Sequence, residues 1–453
     1  MKRIGIIIAL IICQACGDNF LDLQPESVAD IQDVYQTEDD FFQAIIGAYD
    51  ELQSSGQYGR NFQFLFDTRA DIVGELSAAF QDGIYYEIDR FLLRPANPLL
   101  QQSWSSLYSG IYRCNIVLDK LNEVNLSANV AAQFAAEARF IRAISYFNIV
   151  RIWGDAPLII NTITPDEALQ VVRDDKQIIY TFIVNELEEI RNQLPGSYAP
   201  DAAGRVTSWA ATGLLGKVYL ELELYVEAEN VLSEIISANS FALVQDFDQV
   251  FDLQNEMNEE ILFAIRWKRL LEETNLFYSR SNQPIEVDQS FIDSFEDSDV
   301  RGIYAQIGNV GSYFVPNKYL DPAGADGKTG MDYPVLRYAD VLLMYAEAIN
   351  AQRFEPNGEA FRVVNEVRNR SGLSSLTNIQ DQGEFRSALL IERRRELIFE
   401  GHAWFDLIRL GNPIDIFESK GINITEGQYV FPVPQSEIDR INNSGFEQNE
   451  AYN

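Results

Sequence analysis

Apolar and polar positions alternate with a helical period over most of this chain. The clearest stretch is AEARFIRAISYFNIVRIWGDAPL, residues 136–158. Phe134, Ala138, Ile141, Ser145 and Ile149 recur at three- and four-residue spacing, which places them on one face of a helix. Small residues in that stripe (Ala138, Ala143, Ser145) let a second helix approach closely. Gly154 and Pro157 then stop the helix. The same periodicity predicts helices over 101–122, 130–153, 176–193, 208–224, 338–352, 359–370 and 382–409. Thr37, with Asp40 three positions on, opens another that runs through Gln53. Periodicity weakens over 54–98 and again over 238–335, where Gly, Pro and aromatic residues interrupt short apolar runs. These read as irregular or short-stranded insertions, a class of segment that commonly carries function. The final QYVFPVPQSEIDRIN reads as extended and Pro-bounded.

One internal repeat is legible. Leu215-Gly216, Tyr219, Ala228 and Leu232 keep the offsets of a tetratricopeptide hairpin of about 34 residues. Ala143 with Tyr146, and Ala346 with Ile349, are weaker copies. The expected fold is therefore mostly α: helical hairpins carrying two large irregular insertions.

The first residues set the compartment. Lys2 and Arg3 precede a run from Ile4 to Ile12 that is far shorter than the about 20 residues of a membrane-spanning helix. A charged start, a short apolar core and a small residue at the break describe a signal peptide, residues 1–15. Ala15-Cys16 resembles the bacterial lipobox, with Cys13 where Leu is usual, so Cys16 is expected to become the lipid-bearing first residue. Residues 16–38 are polar and acidic and read as a tether to a single domain, 39–453. Its N-terminal part is 39–237 with insertion 54–98; its C-terminal part is 238–453 with insertion 238–335. Of three cysteines only Cys114 would remain free, as a small buried hydrophobe, so the exported fold must rest on its core. With 35 basic and 68 acidic residues the formal charge is −33, and removal of Lys2 and Arg3 takes it to −35. Such a surface repels nucleic acid and anionic lipid, so acyl chains rather than electrostatics would hold it to a membrane.

Little in the chain suggests catalysis. Glu392-Arg393-Arg394-Arg395-Glu396 reads as a helix end laced with ion pairs. Asp340 and Glu347 are two helical turns apart, roughly 10 Å, beyond the spacing of paired glycosidase carboxylates; Arg337 or Arg370 are their expected partners. The one histidine, His402, has no second metal-ligating or nucleophilic residue near it in sequence, and reads as a capping or packing residue. Asp321 and Asp326 do not have the spacing of an EF-hand calcium loop. No metal or cofactor is expected.

Several separate motifs bear a joint resemblance. They are Cys16-Gly17-Asp18-Asn19-Phe20-Leu21-Asp22, Trp104-x3-Tyr108-x2-Ile111 with Asn115, and Glu137-Ala138-Arg139-Phe140-x-Arg142-Ala143 through Trp153-Gly154-Asp155-x-Pro157. Then come Arg337-Tyr338-Ala339-Asp340-Val341-Leu342-Leu343 with Ala346-Glu347-Ala348, and Val367-Arg368-x-Arg370-x-Gly372. Last are Glu392-Arg393-Arg394-x-Glu396-Leu397, Trp404-Phe405-Asp406-x2-Arg409 and Phe431-Pro432-x-Pro434. In this order, from end to end, they resemble the SusD/RagB family of surface nutrient-binding lipoproteins. The tail departs: Gln448-Asn449-Glu450-Ala451-Tyr452 stands where the family tends to have Gln-Asn-Pro-Gly-Tyr. The resemblance implies about four tetratricopeptide-like hairpins beneath an irregular ligand-binding face, and anchorage on the outer face of the outer membrane. It also implies a partner, a SusC-like TonB-dependent β-barrel transporter that the lipoprotein caps. The implied ligand is an oligosaccharide, with peptide as the alternative; a surface glycoside hydrolase and a purely structural adaptor fit less well.

Sugar rings stack on aromatics and present hydroxyl pairs suited to Asp, Asn and Arg. Aromatics in the irregular stretches are therefore the candidates for ligand contact. The first insertion offers Tyr85, Tyr86, Arg90 and Asn97; the second offers Arg266, Trp267 and Tyr278, which lies close to Arg280. By the resemblance, Asp71 stands where the family often has an acidic residue near its site.

Overall fold

The structure is a computed structural model that describes residues 34–73, 78–79, 81–267, 279–280, 286–310, 313–321 and 330–453. Ten longer helices organise it: α1 Glu38–Leu52, α2 Pro98–Leu121, α3 Ala128–Trp153, α4 Lys176–Ile190 and α5 Ser208–Glu221. They continue with α6 Tyr225–Ala238, α7 Tyr338–Gln352, α8 Glu359–Arg370, α9 Gln382–Glu396 and α10 Ala403–Leu410. Helices adjacent in the chain pack side by side from α1 through α8, and α9 lies against α7. Thr37 and Asp40 form the expected capping box on α1, which buries Phe41, Ile45, Ala48 and Leu52. The central helix α3 is enclosed almost all round, and Gly154, at φ 72°, ends it.

The repeat signature falls on the α5–α6 hairpin. A Cβ on Gly216 would stand 2.6 Å from Leu232 Cδ2, so the glycine lets the two helices close on each other. Cys114 is fully buried, which pushes its thiol up to about 12.

The insertions are less open than their composition suggests. The described residues of the first insertion include the short helices Asn61–Phe66 and Tyr86–Asp89, and every residue of Asn61–Phe66 is buried. In the second insertion β1 (Ile261–Ile265) pairs antiparallel with β5 (Tyr333–Arg337). A separate three-stranded sheet runs in the order β2 (Ser279–Arg280), β4 (Tyr313–Pro316), β3 (Ile307–Val310). The two insertions meet where Val73 bridges Val287 and the Asp288 N–H donates to the Ile72 carbonyl at 2.9 Å.

Two expected elements are corrected. The span 382–409 is not one helix: Phe399 (φ 63°) and Gly401 (φ 73°) turn left-handed between α9 and α10. Carbonyls freed there accept from buried groups, Glu396 and Ile398 from Lys318 Nζ at 3.1 and 2.8 Å, and Phe399 from the Tyr319 hydroxyl at 3.2 Å. Near the C-terminus Gln435–Ile441 is helical rather than extended, its first N–H donating to the Pro95 carbonyl at 2.9 Å. The divergent tail still clamps the fold. Gln448 exchanges two hydrogen bonds with the Val433 backbone, and the Tyr452 hydroxyl donates to the Val430 carbonyl at 2.9 Å.

The charged motifs form a buried lattice that joins helices. Arg337 reaches Glu260 and Glu396 at 2.6 Å and Glu400 at 2.7 Å. Glu396 also accepts from Arg301 at 3.0 Å and from Arg370 at 2.5 Å. Glu392 pairs with Arg301 at 2.6 Å and Arg368 at 2.9 Å. Asp340 does not pair with Arg337 or Arg370 as expected; it faces Lys217 at 2.8 Å and Arg393 at 2.9 Å across the α5–α7–α9 contact. Glu347 likewise pairs with Arg409, at 3.0 Å. His402 is buried with Nδ1 3.2 Å from Lys217 Nζ. Burial, with Lys217 adding to it, pushes its imidazole down to about 3, so the neutral ring accepts from the lysine and packs.

Candidate functional site

A cleft of about 670 Å³ opens beside the C-terminal end of α1. Gln53 follows that helix; Pro200, Asp201 and Ala203 come from the turn before α5; Leu253, Gln254 and Glu256 from the turn before β1. Arg266 and Trp267, which follow β1, complete it with Gly330. This volume is within the usual range for a small-ligand site.

Its chemistry centres on Arg266. The guanidinium pairs with Asp332, lies 3.7 Å from Glu256, and donates to the Ala203 carbonyl at 3.3 Å. Gln53 donates to the Arg266 carbonyl. Asp332 also accepts from the Trp267 N–H at 2.9 Å, while its own N–H donates to Glu256 at 2.9 Å. Gly204, at φ 99°, is needed here, because a Cβ would stand 2.7 Å from Arg266 Cγ. Burial, and then the nearby Glu256 carboxylate, push Asp332 up to about 7 despite Arg266. Burial also raises Glu256. Arg266 is 40% exposed and Trp267 only 5%, so the arginine is the more accessible of the two. The cleft can therefore offer the Arg266 guanidinium, the Gln53 and Gln254 amides and the Glu256 carboxyl to a polyhydroxylated ligand, with Asp332 buried behind Arg266.

Of the expected ligand residues, Arg266 and Trp267 line this cleft. Asp71, Tyr85 and Asn97 do not line this cleft and are engaged in contacts within the fold. Asp71 is paired with Arg394 on α9, and its carbonyl accepts from Lys420 at 2.6 Å. Tyr85 is buried against Phe64 and bonded by Arg60. Asn97 caps α2 and donates to the Ile84 carbonyl and to Glu87, both at 2.9 Å. Tyr86 stays half-buried beneath the Arg90 guanidinium, 5.7 Å from its ring centroid, and Arg90 pairs with Asp89 at 3.1 Å. Tyr278, Cys16 and Asp326 lie outside the described residues. The sequence reading missed Gln53, Asp201, Glu256 and Asp332. Only Asp332 carried a local signal, as an acid directly before the apolar strand β5.

A family profile described as "SusD-like_3: Starch-binding associating with outer membrane" matches residues 19–220, and one described as "SusD_RagB: SusD family" matches 270–452. SusD-like protein P25 of Formosa agariphila is 26% identical, over 97% of each chain. Among solved structures, a "Laminarin binding SusD-like protein" superposes with TM-score 0.78 at 24% identity, covering 92% of this chain and all of that one. Surface glycan-binding protein A from Bacteroides thetaiotaomicron, in complex with laminarihexaose, gives 0.77 at 20% identity over 91% and 99%. These structural likenesses establish the fold.

Proposed function

Because the chain belongs to the SusD/RagB family, we propose that it is a non-catalytic glycan-binding lipoprotein of the outer membrane. It captures an oligosaccharide and passes it to a SusC-like TonB-dependent β-barrel transporter. Lipid on Cys16 anchors it, and the binding face looks outward from the cell. The observation that carries the glycan reading is the cleft in which Trp267 stands beside the Arg266–Asp332–Glu256 cluster. The Arg266 guanidinium beside the Glu256 carboxyl suits vicinal hydroxyls, and Trp267 packs behind them. Names of relatives that bind laminarin and laminarihexaose add support for a glycan ligand. Tyr86 and Arg90 remain proposed contacts for the more distant part of a chain ligand.

The function is that of a receptor. The charged residues that tempt a hydrolytic reading (Asp340, Glu347, Glu392, Glu396) are consumed in buried ion pairs.

Calorimetry with a panel of oligosaccharides and a peptide library tests the proposal. We expect one glycan class to bind without product, and Arg266→Ala to weaken it at least tenfold. That loss is the scale of one charge-assisted hydrogen bond, about 1.5–3 kcal/mol. Product release, or binding confined to peptides, would refute the glycan-receptor reading.

A further inference from the structure

Arg266 stands between two carboxyls that hold it unequally. Its Nε pairs with Asp332, its Nη1 donates to the Ala203 carbonyl at 3.3 Å, and its Nη2 lies 3.7 Å from Glu256 Oε2. That last separation is too long for a hydrogen bond. Nη2 and Oε2 are therefore an open donor–acceptor pair, able to give a hydrogen bond to one hydroxyl of a vicinal pair and accept one from the other. The stem of the arginine is fixed as well, its Cγ and Cδ lying 2.7 and 3.0 Å from where a Cβ on Gly204 would stand.

Asp332 is placed to hold this arrangement from behind. It directly precedes β5 and is buried. One of its oxygens accepts from the Trp267 N–H at 2.9 Å and the other meets Arg266. With a donor facing each oxygen, the carboxyl matches its surroundings best when ionised. Among the described residues, the charged groups facing it are Arg266, beyond the end of β1, and Glu256, from the turn before β1. The Asp332 N–H also donates to Glu256 Oε1 at 2.9 Å. Asp252 bears on Glu256, and Asp201 lines the same cleft. Burial, and then Glu256, push the Asp332 carboxyl up to about 7, so its ionised form is costly near neutral pH.

We infer that Asp332 is the positioning residue of the cleft: it holds Arg266 off Glu256, keeps the seat for a vicinal diol open, and thereby couples glycan affinity to one proton. The inference rests on the glycan reading of this cleft. Ionised, Asp332 keeps the guanidinium on its own side. Protonated, it turns an O–H toward the Arg266 or Trp267 donor, and the guanidinium crosses to Glu256 and closes the 3.7 Å gap. The glycan therefore selects the ionised form and expels the proton, so binding strengthens as pH rises through the region of 7.

Calorimetry of the full mature chain with each neutral oligosaccharide of the panel, at pH 8.5, 7 and 5.5, tests the inference. Any that binds should do so at least tenfold more weakly at pH 5.5 than at pH 8.5. Titration at pH 6 in two buffers of different ionisation enthalpy should show close to one proton released per glycan bound, a readout that needs no variant. Asp332→Asn, its fold checked by circular dichroism, should bind weakly at every pH and without a slope, which a merely structural role would not produce. An affinity flat from pH 8.5 to 5.5, or binding without proton release at pH 6, would overturn the inference and leave the receptor standing. A slope that survives in Asp332→Asn would overturn it too, and assign the proton to Glu256. If no oligosaccharide binds at any pH, the glycan reading fails and the inference falls with it.

Discussion

Glu396→Gln probes the buried lattice at its most connected point. Glu396 is fully buried and accepts from three guanidinium groups, those of Arg301, Arg337 and Arg370. The amide keeps the shape but removes the charge and turns two N–H donors toward groups that can only donate. Breaking one partner of a buried ion pair costs about 3–5 kcal/mol. An unfolding entropy of about 2.1 cal/mol/K per residue, over 453 residues, gives about 0.95 kcal/mol/K. The melting midpoint at pH 7 should therefore fall by about 3–5 °C, read by calorimetry or circular dichroism. The pH dependence supplies a second arm. Burial pushes the Glu396 carboxyl up, but Arg370, Arg337 and Arg301 outweigh it and hold the group well below the usual carboxylate range. A depressed carboxyl contributes stability above its unfolded value, about 4.3, and loses it as pH falls toward the folded value. The gap between the two proteins should be constant from pH 8 to 5 and narrow below about pH 4.5. A midpoint within 1 °C of the unaltered protein at pH 7, or a gap that widens in acid, would refute the assignment of Glu396 as the charge that binds α9 to β5 and α8.

Gly216→Val should destabilise by about 3 kcal/mol, because the first added carbon would stand 2.6 Å from Leu232 and α5 cannot shift without unseating its neighbours; chemical denaturation measures it. For Asp332 the sign is the reverse of Glu396. Its folded value is raised to about 7, so its contribution is present below the unfolded value of about 3.9 and is lost as pH rises through 7. Asp332→Asn does not titrate, so its midpoint should gain on the unaltered protein between pH 5 and 8; a difference flat across that range would contradict the raised value.

Helical periodicity was enough to read α1 to α5, α7 and α8 from the chain, because burial of one face leaves a 3.6-residue imprint whatever lies opposite. The α5–α6 hairpin was legible from the offsets of Gly216 and Leu232, which pack against each other. The break at Phe399–Gly401 was not legible. It follows from Lys318, some eighty residues away, taking the carbonyls that a continuous helix would have used. The ligand candidates divide on the same line. Arg266 and Trp267 were named because an aromatic and an arginine stood in an irregular stretch, and they do line the cleft. Tyr85 and Asn97 satisfied the same criterion, but the tertiary fold spends their polar groups on Arg60, Ile84 and Glu87.

By itself, then, the sequence determined a mostly helical, acidic protein of the SusD/RagB family, since periodicity, charge and ordered motifs are properties of the chain. Which charges pair, where α9 stops, and which insertion residues line a cleft were decided only by tertiary structure. Those outcomes depend on partners distant in the chain: Lys217 rather than Arg337 meets Asp340, and Asp332 returns to Arg266 across 66 residues because β1 and β5 lie side by side.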